Sequence, residues 1–432
     1  VTTIEPRGTR RAEGILLLYH YAPPYAATVL EHVNAFARHS KYAVWPVNVE
    51  NGYPPALDRL DPAVIVLHYS LFGSSDYFLK GSFLRLLDRA DASYRVAFFQ
   101  DEYYYCQQRF AFIDRYDVNC VYTLVEDGSH SVVYGAHTHG PATITTIPGY
   151  VSDDLPRLSN RFSKPDAQRR IDIGYRARRL PFYMGRGAQE KHRIGIRFQE
   201  LAQPLGLTLD IETGESSRLY GDSWYRFLGD CRAVLGVEAG VSIFDLDDRV
   251  RQGYERLIAE SPEMTFDEMS KVLLGQFEDN LPYRTVSPRH FEAAAFRVTQ
   301  ILFEGRYSGV LEPMAHYLPL RKDFGNFDEI IRLYRNPQVR ESLTSRAYDD
   351  LIASGRWSYA AFIEGFDAHL ERANVVITST PEAGERVRTM LQRGGSIREL
   401  KSASRRRYRR WADGATGRRI RRAVRRLIRR RP

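Results

Sequence analysis

The chain has 432 residues, more than one ordinary core accommodates, so two domains of about 150 to 200 residues with a cleft between them are expected. Its 43% hydrophobic and 27% charged residues exclude a disordered or membrane-embedded chain. The net charge of +9 is unevenly spread: residues 386–432 carry 19 Lys and Arg against two acids, a local +17, while the rest carries 43 against 51.

From residue 14 to about 151, apolar runs alternate with amphipathic stretches: ILLLYHY, VLEHVNAFARH, YAVWPVNV, PAVIVLHYS, FLRLLDRA, YRVAFFQ, VNCVYTL and TITTIP. Short Val-, Ile- and aromatic-rich strands separated by helix-length segments predict βαβ units and a parallel sheet, so residues 1–151 read as one Rossmann-like lobe. The polar stretch 152–170, with Pro156 and Pro165, reads as the interdomain linker. A second alternation over 171–340 runs through RIDIGYRA, EKHRIGIRFQELAQPL, LTLDIET, SWYRFLGDC, RAVLGVE, MSKVLLGQ, SPRHFEAAAFRVTQILFEG and HYLPL, and predicts a second such lobe. Residues 341–374 read as two closing helices, broken near Ser354 and Gly355 and packing across both lobes.

The fold class expected is therefore α/β, two Rossmann-like lobes facing a cleft, followed by a basic tail over 375–432. In open parallel sheets ligands bind outside the carboxyl ends of the strands, so the residues just after each strand are the informative ones. In the first lobe these include His68, Asp101 and Glu102. His68 titrates near neutrality unaided. Either acid becomes a general base if the cleft closes over it.

In the second lobe, GYRARRLPFYMGRGAQEK places Gly185 at a helix entry with Arg186 and Lys191 five residues apart. Backbone N–H groups, the positive helix end and two cations together suit a diphosphate ester. Further loop ends point the same way: Glu238 with Gly240 after AVLGV, and Tyr307, Ser308 and Gly309 after TQILF, with Arg289 adding charge nearby. No GxGxxG follows the first strand, which disfavours a dinucleotide-dependent oxidoreductase.

The glycine–arginine pair followed by Lys191, and the later glutamate of the FEAAA helix leading into a strand, resemble the nucleotide-sugar site of GT-B glycosyltransferases, in particular the CgeB-like group within the group 1 type. The resemblance implies that Arg186 and Lys191 hold the diphosphate of a nucleotide-sugar donor, that Glu292 accepts hydrogen bonds from the ribose hydroxyls, and that the first lobe holds a glycan or lipid-linked acceptor. It further implies a sugar transfer without a cofactor or metal, in envelope polysaccharide or glycan assembly. One departure stands out: eight positions before Glu292, where the family carries a second acid, this chain has Arg284. A non-catalytic binding or assembly protein on the same fold is the alternative.

The acidic run at Asp245, Asp247 and Asp248 reads as a solvated loop rather than a metal site. Cys106, Cys120 and Cys231 lack metal or redox spacing, and a reducing cytoplasm is expected, with no signal peptide or membrane span. In the tail, Ile420, Ala423, Val424, Leu427 and Ile428 form an apolar stripe on an arginine-rich helix. That pattern favours peripheral attachment to an anionic membrane, at the inner face of the plasma membrane, over nucleic acid, to which an apolar stripe contributes nothing.

Overall fold

The computed structural model describes residues 13–23, 28–73, 77–381, 384–385, 387–389 and 391. The amphipathic stripe of the tail lies outside the described residues.

In the first lobe, β1 (Ile15–Tyr19), β2 (Val44–Asn48), β3 (Val64–Leu67), β4 (Tyr94–Phe98), β5 (Cys120–Thr123) and β6 (Ala142–Thr145) form a parallel sheet in the order β2-β1-β3-β4-β5-β6. The helices α1 (Thr28–His39), α2 (Ser82–Arg89) and α3 (Cys106–Arg115) connect them. The central strands are apolar on both faces because helices cover both, and Ile15, Leu17, Leu18 and Val64 to Leu67 are fully buried. Pro46 sits in β2, an edge strand, where a missing N–H breaks no ladder.

The stretch expected as an irregular linker contains α4 (Leu155–Phe162). Pro156 lies in its first turn, where a proline starts a helix rather than ending one. Leu155 is buried beside Leu158 and Phe162 against the second lobe.

That lobe carries β7 (Ile171–Arg176), α5 (Arg186–Ala202), β8 (Leu209–Glu212), α6 (Asp222–Asp230) and β9 (Cys231–Gly236). An antiparallel pair follows, β10 (Ala239–Val241) and β11 (Tyr283–Thr285), with α7 (Arg249–Glu260) and the short α8 (Phe266–Met269) between its strands. After α9 (Pro288–Ala295) come β12 (Thr299–Phe303), β13 (Leu318–Leu320) and α10 (Phe327–Arg335). The parallel sheet runs β13-β12-β9-β7-β8, so the chain reverses direction between β7 and β9. Such a switch point opens a crevice at the strands' carboxyl ends.

Of the closing helices, α11 (Pro337–Tyr348) buries Leu343 and Ala347 in the second lobe. By contrast α12 (Tyr359–Arg372) crosses back, and its Tyr359, Ile363, Phe366 and Leu370 complete the core of the first lobe around Phe36 and Phe98. Two Rossmann-like lobes thus face each other across a cleft, the GT-B arrangement. No helix among the described residues is long and apolar enough to cross a membrane.

The lobes are joined by specific bonds. Tyr283 of β11 donates its hydroxyl to the Gln100 carbonyl, the Tyr103 carbonyl accepts from the Asp245 N–H at 2.8 Å, and Asp248 accepts from the Tyr105 N–H at 2.8 Å. The acidic run expected to be solvated is therefore structural: Asp245 is buried and accepts the Val250 and Arg251 amides that open α7.

Within the second sheet, a Cβ on Gly174 would stand 2.3 Å from Cys231 Sγ and 2.8 Å from Phe227 Cζ. Gly174→Val should therefore destabilise the chain by about 1–3 kcal/mol, read as a lower urea midpoint.

Candidate functional site

A cavity of about 300 Å³ opens at the β7/β9 switch point, where the first lobe closes over the second. Asp101 and Tyr103, on the loop after β4, supply its first-lobe wall. The second lobe supplies Arg176 and Arg178 at the end of β7, Lys191 from α5, Glu238 just after β9, Trp224 and Phe227 from α6, and Arg289 and His290 from α9. Arg218 stands at the rim.

Five cations thus meet two carboxylates, and three of the cations are without an ion pair among the described residues. Arg176 pairs with Asp210 at 2.7 Å, Arg218 pairs with Glu215 at 2.7 Å, and Arg289 lies over the Trp224 ring at 4.8 Å. Lys191, Arg178 and Arg289 have no ion pair among the described residues; Lys191 Nζ reaches only the Gly240 carbonyl, at 3.4 Å. Burial pushes the Lys191 pKa down to about 8, with Asp101 opposing and Arg284, Arg178 and Arg289 adding to the fall. Asp101 is exposed on the cavity wall, with protein dense around it. Enclosure raises its pKa, and the nearby cations, Lys191 first, pull it back.

Arg186, Lys191 and Glu292 were expected to converge, and they do not. A helix turns about 100° per residue, so positions five apart point about 140° from each other. Arg186 accordingly lines a neighbouring cavity with Glu190, Arg284 and Lys322, not the one Lys191 enters. Glu292 opens onto a small third cavity with Glu31, Tyr150 and Tyr359, and accepts from Trp224 Nε1 at 2.8 Å. Trp224 stands between, lining the main cavity with its ring. Burial lifts the Glu292 pKa to about 7, against the Trp224 hydrogen bond and the Arg289 charge.

The start of α5 is also occupied. The Arg186 N–H donates to Glu278 Oε1 at 2.7 Å and the Gly187 N–H to Ser242 Oγ at 2.8 Å, so side chains satisfy the amides expected to face a phosphate. Gly185 is required there for its φ of +79° and because a Cβ would sit 2.4 Å from Ser242 Oγ.

Two of the three first-lobe candidates turn inward. His68 is fully buried, with Nδ1 accepting from the Ser70 N–H at 3.1 Å and Nε2 bonded to His32 Nδ1 at 2.9 Å, and burial keeps its ring neutral. Glu102 accepts from Thr123 Oγ1 at 2.7 Å, the Leu124 N–H at 2.8 Å and the Tyr134 hydroxyl, which fixes the loop after β4 to β5. Of the three, Asp101 alone lines the cavity.

The remaining loop-end residues serve mainly as scaffold. Glu238 lines the cavity but spends Oε1 on the Arg306 and Tyr307 amides, both at 2.9 Å. Gly240 is needed for backbone approach, since a Cβ would meet the Tyr283 carbonyl at 2.1 Å. Tyr307 is buried with its hydroxyl on the Phe303 carbonyl at 2.6 Å, Ser308 bonds Thr285 at 2.7 Å, and Gly309, with φ +69°, turns the same loop without lining the cavity. Arg284, where the resemblance implied an acid, pairs with the buried Glu190 at 2.7 Å and lies against Gly187.

Sequence reasoning passed over Arg178, Arg218, Trp224 and Gln300, all of which line the cavity. Arg178 had a readable signal, its place two residues after β7. Nothing local marked the other three, which reach the cavity from α6, the loop before it, and the middle of β12.

Two pH dependences follow. Lys191 titrates near 8 in the folded chain and near 10.5 unfolded, so below about pH 8 its charge penalty is fully present and stability from this group rises between about pH 8 and 10.5. Pyrophosphate, which favours the charged form, should bind about tenfold or more weakly at about pH 9.5 than at about pH 7 by calorimetry, and Lys191→Ala should remove that difference. Glu292 has the opposite sense: its folded pKa of about 7 lies above the ordinary 4.5, so stability from this group falls as pH rises between the two. Glu292→Gln should raise the melting temperature at about pH 8 by a few degrees and leave it nearly unchanged at about pH 4.5.

The chain matches no protein-family model and no curated protein sequence. Solved structures similar to it include an α-glucosyltransferase in complex with UDP, 11% identical with a TM-score of 0.47 over 82% of this chain and 98% of that one. A glycosyltransferase from Rickettsia africae ESF-5 is 9% identical, with a TM-score of 0.46 over 84% of this chain and 99% of the other. HepE from Anabaena, in complex with UDP and glucose, is 11% identical, with a TM-score of 0.44 over 83% and 99%. TarM is 11% identical with a TM-score of 0.37 over 70% of this chain, which spans 53% of TarM's length.

Proposed function

We propose that the chain is a glycosyltransferase that takes a sugar from a nucleotide-diphosphate donor held by the second lobe and passes it to an acceptor held by the first. The observation that carries this reading is the set of cations without an ion pair among the described residues, Lys191, Arg178 and Arg289, lining an interlobe cavity at a topological switch point, with Asp101 on the facing wall. As the bond from the sugar to the diphosphate breaks, negative charge gathers on the departing phosphate oxygens. Lys191 and Arg178 lower the energy of that charge, Lys191 the more strongly because it is partly shielded from water. Arg289 adds to the same field.

Asp101 is the group that orients the acceptor hydroxyl or accepts its proton, since enclosure raises its proton affinity and the cavity leaves it accessible. Glu292 acts through Trp224, whose indole it fixes against the cavity. No metal is needed in this scheme, because cations of the chain take that place. An acceptor with sugar rings suits the aromatic side chains Tyr103 and Trp224 that line the cavity. The CgeB-like subtype, a lipid-linked acceptor in envelope glycan assembly and membrane attachment through the tail rest on sequence alone.

Lys191→Ala should lower turnover of a nucleotide-sugar donor by about a hundredfold or more while circular dichroism stays unchanged, and Arg178→Ala should act in the same direction. A Lys191→Ala enzyme with wild-type turnover or donor hydrolysis would remove the assignment.

A further inference from the structure

The loop that carries Asp101 is folded around a cation. Arg109, one turn into α3, is 4% exposed. It spends its guanidinium on main-chain carbonyls: Nη1 donates to Glu102 at 3.1 Å and to Tyr104 at 3.0 Å, and Nη2 donates to Asp101 at 3.4 Å. It forms no ion pair among the described residues, so these carbonyls, with the Phe99 ring 5.1 Å below, are what offset its burial. Helical side chains lean toward the amino end of their helix, which brings Arg109 back over the loop. Tyr105, with φ +53°, turns the chain in a conformation disfavoured for a tyrosine, so this loop needs holding from outside. The Asp101 carbonyl is thus drawn inward, while the residue itself is exposed on the cavity wall.

Gripping carbonyls is not unusual in this chain. Arg95, also 4% exposed, donates to the Leu87 and Ala90 carbonyls, both at 2.9 Å, and to the Tyr116 carbonyl. It does so near the amino end of β4, whereas Asp101 lies past the carboxyl end of that strand. What distinguishes Arg109 is its neighbour. Enclosure raises the Asp101 pKa, and Lys191, Arg109 and Arg178, with a hydrogen bond from Tyr103, pull it down. The tyrosines around the acid, Tyr69, Tyr103, Tyr104 and Tyr283, are held protonated by burial and add no charge. Of the three cations, Lys191 and Arg178 line the cavity and would share their charge with a bound diphosphate. Arg109 is sealed beneath the loop, where a ligand does not reach it.

We infer that Arg109 is a positioning residue for the transfer: its bonds to three carbonyls fix the backbone from which Asp101 reaches the acceptor hydroxyl, and they set behind that acid a positive charge that no ligand neutralises. The inference rests on the transferase reading, with Asp101 as the group that meets the acceptor. A base must be ionised to accept a proton. When the donor's phosphates occupy Lys191 and Arg178, Arg109 is the cation still acting on Asp101 at full charge. The planar fork matters as well as the charge, since an ammonium is a single point and does not hold three spread carbonyls in place.

The test has two readouts on the full chain: hydrolysis of a panel of UDP-, dTDP- and GDP-sugars, and carbon-13 NMR titration of the Asp101 carboxyl with inorganic pyrophosphate bound, its signal identified by loss in Asp101→Asn. Arg109→Lys should lower kcat about tenfold or more with the donor KM unchanged. Arg109→Gln should lower kcat likewise and make Asp101 titrate about one pH unit higher than in the wild type. Arg95→Lys and Arg95→Gln, which lose an equivalent set of carbonyl bonds away from the site, should do neither. Wild-type kcat in Arg109→Lys, an equal loss in Arg95→Lys, or an unmoved Asp101 titration in Arg109→Gln overturns the positioning role and leaves the transferase reading intact. Loss of the fold in Arg109→Lys, seen by circular dichroism, overturns it too, because the residue is then a structural support like Arg95. Failure of the wild type to turn over any sugar of the panel overturns the transferase reading and this inference with it.

Discussion

The arrangement depends on a lysine kept charged where charge is disfavoured. Lys191 lies half-buried on the cavity wall, has only a carbonyl within hydrogen-bond reach among the described residues, and is surrounded by further cations, so its own fold penalises its proton. With a pKa of about 8 it still carries its proton at neutral pH, and an anion sharing the cavity favours that charged form further. The partial counter-charge from Asp101 comes from the other lobe, which links the electrostatics of the site to the closeness of the two lobes.

That closeness is secured by buried polar bonds rather than by the cations. Tyr283 ties β11 to the loop carrying Asp101, and Glu102 anchors the same loop to β5 through Thr123 and Leu124. Asp248 and the Asp245 amide hold the next turn from the second-lobe side. The loop after β4 is thus clamped on both flanks, and Asp101 is the charged residue of that loop left facing the cavity, beside Tyr103. Acids that look catalytic in a sequence turn out to be the clamps, because a buried carboxylate with several donors is a strong positional constraint.

The cavity is lined unevenly: Arg178, Lys191 and Arg289 make one region cationic, and Phe227, Leu228 and Val234 make another apolar. Trp224 joins the two regions, being stacked by Arg289 on one side and held by Glu292 at its indole nitrogen. Arg284 belongs to neither region, since Glu190 and Gly187 account for its place.

Periodicity and strand-end position made the two lobes, their parallel sheets and the cavity-facing roles of Asp101, Lys191 and Arg289 legible in the sequence, since these follow from local patterns and the general siting of ligands at strand carboxyl ends. Pro156 misled because proline both ends and begins helices, and the difference lies in what surrounds it. Helix phase separated Arg186 from Lys191, and burial decided that His68 and Glu102 are internal supports. Gln300, in an apolar strand, and Trp224, on a helix face, carry no local mark of a site. Their meeting with Lys191 is set by the order of strands in the second sheet and the packing of α6 and α9 over it, long-range relations that residue types along the chain do not encode individually.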